Sequence, residues 1–181
     1  MRGGRGGAPA RVTKAAGMNR FVWNVQNRAG LTVPPGSYQV RLKVDGATLT
    51  QPFTVLIDPR IAEEGVTAAD LQEQFEHNVR VRELVAAANQ LVVRVRDAQA
   101  KMRNVQGADA EAARRIDAIA AKLLTEPVRY GKPGLQAHIQ YLAGMTGGVD
   151  QKIGRDAIER YQVLVKELEA VRAEFDRIAI R

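Results

Sequence analysis

The chain has 181 residues, 45% hydrophobic and 5% aromatic, with no cysteine and a formal net charge of +7. That length suits one ordinary domain or two small ones, and the apolar share excludes wholesale disorder. The missing cysteines exclude disulfide staples, thiolate metal sites and a cysteine nucleophile, while the charge favours anionic partners such as nucleic acid or a membrane surface.

Residues 1–17 are rich in Gly, Ala and Arg without any period, which predicts a flexible leader. The basic opening has no apolar stretch behind it, so no signal peptide is visible. Order is expected to begin at Asn19–Gln26, where Phe21, Trp23 and Val25 alternate with Arg20, Val22 and Asn24 as in a half-buried strand. Val-Pro-Pro-Gly, residues 33–36, then supplies a turn.

Tyr38, Val40, Leu42 and Val44 form the next apolar face, with Gln39, Arg41 and Lys43 opposite. Asp45-Gly46 is a dipeptide preferred in two-residue hairpin turns. A returning strand continues through Thr48, Thr50, Phe53 and Val55, and Pro52 within it argues for an edge position or a bulge, because proline cannot donate to a ladder. Three strands with one apolar face need a cover, either from the helices or from further strands.

Asp58-Pro59-Arg60 marks the exit from the sheet. Thr67 with Asp70 three residues on is a capping box with Asp in place of Glu or Gln. From there Val81, Leu84, Ala88, Leu91, Val95, Ala98, Met102 and Val105 recur at spacings of three and four, a heptad seam on a helix from about Ala68 to Asn104. Gln106-Gly107 breaks it and Asp109 caps a second helix with Ile116, Ile119 and Leu123 on one stripe. A shorter helix carries Leu135, Ile139 and Leu142. The last, about Arg155 to Ile180, repeats the heptad rule at Ala157, Tyr161, Leu164, Leu168, Val171, Phe175 and Ile178. Short connections favour an antiparallel three- or four-helix bundle within one chain, with an oligomerising coiled coil as the alternative.

Motifs for chemistry are sparse. His77 and His138 lie in different helices without a metal-binding spacing. The loop Gly-Met-Thr-Gly-Gly, residues 144–148, lacks the lysine and preceding strand of a phosphate loop, and no serine sits in a nucleophile elbow. No catalytic, cofactor or metal residue is assigned. For nucleic acid the candidates are Arg2 and Arg5 of the Arg-Gly-Gly repeats, with Arg80, Arg94, Lys101 and Arg103 on the first long helix. The charges also fit a solvated helix surface of mixed sign.

The stretches Gly17–Gln26 and Val33–Arg60, followed by Thr67–Phe75, resemble the C-terminal region of bacterial BNR-repeat proteins. These are large, exported, sortilin-like β-propeller proteins often labelled glycosyl hydrolases. The resemblance rests on the Asn-Arg-Phe-Val-Trp strand, the Pro-Pro-Gly-x-Tyr turn, the Asp-Gly hairpin and the Asp-Pro-Arg exit. It implies an Ig-like β-sandwich leading into a terminal helical bundle, with Trp23 and Tyr38 in the sandwich core and Gly36 and Gly46 forming turns. No catalytic residue of the family maps onto this chain, because propeller chemistry lies upstream.

The expectation is thus an α+β chain: a leader at 1–17, a partial Ig-like antiparallel sheet at 18–60 and a helical bundle at 61–181. Its expected role is a non-catalytic structural or protein-interaction module, periplasmic or secreted if it is the tail of a longer protein. The expected partner at the open sheet edge is another protein, the missing upstream domains or a second copy. The alternatives are a small basic nucleic-acid-binding protein and, third, a glycosidase-associated accessory domain. No cofactor and no membrane span are expected, since no run approaches the roughly 18 apolar residues of a span.

Overall fold

The computed structural model describes residues 15–104 and 109–178. The leader up to position 14, Val105, Gln106-Gly107 and Ile180 lie outside the described residues. The described part is α+β: a two-stranded antiparallel sheet and five helices. The chain divides into two compact units, Met1–Val33 and Pro34–Arg181.

In the first unit the expected strand at Asn19–Gln26 does not form. Only Gln26 makes a bridge, to Thr32. Two local features account for this. Val25 sits at φ 59°, a costly backbone for a β-branched residue that breaks the extended run. Asn27 then closes a tight loop: its Oδ1 accepts from the N–H groups of Ala29 and Leu31, both at 3.0 Å. The loop returns Val33 N–H to the Val25 carbonyl at 2.9 Å, and Leu31 and Val33 within it are buried. Trp23 is half-buried and donates from Nε1 to the Gln26 carbonyl.

The second unit opens with the hairpin of β1 (Gly36–Val44) and β2 (Ala47–Val55). Asp45 and Gly46, at φ 48° and 82°, form its turn. Positive φ at both central residues matches the right-handed twist of the strands, and Asp-Gly adopts it at little cost. The register pairs Tyr38 with Phe53, Leu42 with Leu49 and Val44 with Ala47. Thr48 and Thr50 therefore lie opposite Lys43 and Arg41 on the polar face, and Leu49 takes the apolar position between them. Pro52 pairs with Gln39 in an unbroken β2, which suits a strand that is itself an edge.

After the hairpin comes a short helix, α1 (Pro59–Glu63), in place of a simple exit. Asp58 is its N-cap, accepting from Arg60 N–H at 3.0 Å. Four longer helices follow: α2 (Ala68–Asn104), α3 (Ala110–Leu123), α4 (Leu135–Gly147) and α5 (Arg155–Asp176). The capping box forms as read: Thr67 Oγ1 accepts from Asp70 N–H at 3.1 Å and Asp70 Oδ2 accepts from Thr67 N–H at 2.9 Å.

These four helices share one apolar core. The α2 seam is buried from Val81 to Ala98, with Met102 packed against it. Ile116, Ile119 and Leu123 of α3 and Leu135, Ile139 and Leu142 of α4 are buried. So are Ala157, Leu164, Leu168, Val171 and Phe175 of α5. At 1.5 Å per residue α2 is roughly 55 Å long and runs along the other three.

Candidate functional site

Three features of the second unit stand out from the apolar core, and the hairpin comes first. Val40, Leu42, Val44 and Leu49 share one face and are 52%, 48%, 52% and 66% exposed. Tyr38 and Phe53 stack at the base of that face, with centroids 5.9 Å apart. The helices do not cover it. Among the described residues β1 and β2 pair only with each other, so both outer edges are open.

The second feature is a polar corner where α2, α4 and α5 meet. Gln74 Nε2 donates to the carbonyls of Thr146 and Val149 at 2.8 and 2.7 Å, and its Oε1 accepts from Gln151 N–H at 3.1 Å. Asn78 Nδ2 donates to the same Thr146 carbonyl at 3.0 Å, and Thr146 Oγ1 donates to Leu142. The Gly-Met-Thr-Gly-Gly segment, read as a helix break, is thus the end of α4 that Gln74 and Asn78 grip.

On the same stretch of α2 lies His77, 1% exposed, with its ring edge-on to Tyr161 at 5.7 Å. Burial is the main cause that lowers its pKa, helped by Arg80 and opposed by Glu73. His138 is exposed on α4, so the two histidines do not meet. Among the described residues no cluster of three metal-ligating side chains occurs.

Sequence reasoning missed this corner, although a signal existed. Continuing the α2 seam backward from Val81 by four and then three places His77 and Gln74 on the buried stripe. Polar residues on a heptad seam mark a position that needs partners.

The third feature is the cationic set of α2. Arg80, Arg94, Lys101 and Arg103 are exposed, but span roughly 35 Å of helix axis, and Lys101 and Arg103 diverge by about 200° around it. Arg94 is engaged: its Nη2 lies 2.6 Å from Asp176 Oδ1, and its guanidinium stands 5.0 Å from the Phe175 ring centre. Arg103 lines a shallow pocket with Gln99, Met102, Ala113, Ile116 and Asp117, of about 160 Å³, below the roughly 300–1,000 Å³ of small-molecule sites. These four cations do not converge on one patch, and Arg2 and Arg5 lie outside the described residues.

No helix among the described residues is long and apolar enough to cross a membrane. Comparison with protein-family models, with curated proteins and with solved structures found no match to this chain.

Proposed function

We propose that this chain is a non-catalytic structural or protein-interaction module, the closing hairpin of an Ig-like sandwich followed by a helical cap. Supporting it is the exposed apolar face of Val40, Leu42, Val44 and Leu49 on a ribbon with two open edges. A two-stranded ribbon is marginal in water by itself, and open edges beside an apolar face suit the addition of strands. The occupant is the rest of the sandwich: β-strands carried upstream in a longer chain, as the resemblance to BNR-repeat, sortilin-like proteins implies.

The test starts from the coding DNA upstream of Met1. An in-frame region encoding strands is expected. Expressing the longer chain should then slow amide exchange across β1 and β2 and shield Leu42 and Leu49 from solvent labelling. A stop codon just upstream, or a longer chain whose hairpin stays as exposed as in the 181 residues, overturns the reading.

The net charge of +7 favours a second reading, a small basic nucleic-acid-binding protein. It requires oligonucleotide affinity that falls steeply with salt. It has less support, because Arg94 is already paired with Asp176.

A further inference from the structure

We propose that His77 makes the corner between α2, α4 and α5 a pH-sensitive joint, closed while the imidazole is neutral and loosened when it takes up a proton. The ring is buried against Tyr161, and neither Nδ1 nor Nε2 has a hydrogen-bond partner among the described residues. The neighbouring Asn78 Oδ1 is likewise without one. An imidazolium formed there gains a second N–H donor with no acceptor placed for it, in a site already stripped of water.

The charged groups around it do not compensate. On its own helix Glu73 favours the charged ring and Arg80 opposes it. From α5 the facing group is the phenol of Tyr161. The titratable residues of α4, His138 and Tyr141, stand at exposed positions. Burial outweighs Glu73, so the folded chain holds the ring's pKa below its ordinary 6.5.

The sign follows from linkage. The unfolded chain binds the proton near pH 6.5 and the folded chain resists it. Stability contributed by the neutral ring is therefore complete above that pH. It is lost as pH falls through 6.5 toward the folded value, by up to about tenfold in the folding equilibrium per pH unit.

Position makes the effect local. His77 directly precedes Asn78 and stands within one helical turn of Gln74 on α2, and the amides of those two residues hold the end of α4 and the following loop. The Gln99–Asp117 hydrogen bond ties α3 to α2 about 33 Å further along the helix. Charging the ring thus loosens the grip on residues 146–151 while α3 stays packed.

The test is an imidazole titration by NMR on the intact chain, which has two histidines, the signals assigned with His138→Gln. Alongside it, amide protection corrected for intrinsic rates is measured at about pH 7.5 and about pH 5. The His77 signal should move only below pH 6.5, and protection should fall selectively at 74–78, 142–151 and 157–161 while 116–123 keep theirs. His77→Phe should abolish the selective loss. A His77 signal titrating at or above 6.5, a uniform loss across all helices, or full protection at 146–151 once the ring is charged would overturn the proposal. If His77→Phe does not fold, the wild-type titration and protection map decide by themselves.

Discussion

The side-chain amide of Gln74 donates to the backbone carbonyl of Thr146 at 2.8 Å, across 72 positions of the chain. It joins the first third of α2 to the last turn of α4, and the same side chain also serves Val149 and Gln151. Gln74→Leu keeps the bulk but leaves the Val149 carbonyl and Gln151 N–H without these partners. The expected loss is about 2 kcal/mol in urea unfolding, from two to three bonds of roughly 1 kcal/mol each. Gln72→Leu, on an exposed position of the same helix, should stay within about 0.5 kcal/mol.

The seam and the hairpin should respond differently to the same deletion. Leu164 of α5 is fully buried, and Leu164→Ala should cost about 2–5 kcal/mol through lost burial and the cavity left behind. Leu42→Ala, on the uncovered hairpin face, should change the unfolding free energy of the 181-residue chain by less than about 0.5 kcal/mol. Equal costs would mean that the hairpin face is packed in solution.

Gly46 tests the hairpin by itself. At φ 82° with nothing within 4 Å of an added Cβ, the penalty of Gly46→Ala is purely one of backbone conformation. About 1–2 kcal/mol is expected. On a ribbon this exposed, that should speed amide exchange throughout β1 and β2 and leave α2 to α5 unchanged.

The start of α2 should titrate as a unit. The hydroxyl and N–H of Thr67 are the main causes holding the Asp70 carboxyl below its ordinary 3.8, aided by Lys152. Because the folded value is depressed, this contribution is complete above pH 3.8 and is lost as pH falls through the folded value. Thr67→Ala removes the hydroxyl, so the Asp70 titration should move upward by NMR. The lost cap should also fray the first turn at a cost of about 1 kcal/mol.

The candidate sites were legible to different degrees. The hairpin could be read because alternation and Asp45-Gly46 are local. Its β1 face of Tyr38, Val40, Leu42 and Val44 was read with it, whereas the β2 residues that join that face were not assigned: the register pairs Leu42 with Leu49 and puts Thr48 and Thr50 on the polar side. At Asn19–Gln26 the alternation misled. A strand needs a neighbour, and Val25 at φ 59° with the Asn27 loop offered the backbone local bonds in place of a ladder. Arg94 stood among the nucleic-acid candidates in the sequence, where nothing shows that α5 brings Asp176 and Phe175 beside it.

What the sequence by itself determined are the properties carried by neighbours within a few positions. These are the span of α2 between the Thr67–Asp70 box and Asn104, the Asp109 cap of α3, and the buried stripes of all four long helices. Helical periodicity and capping act over one or two turns, so a linear reading contains them. Only the tertiary structure decided which stripe meets which. It left the apolar hairpin face uncovered by the helices and buried His77 against Tyr161, on the stretch of α2 whose amides grip the end of α4. Both depend on contacts between residues some seventy positions apart or on the lack of such contacts, and those follow from how the helices share one core.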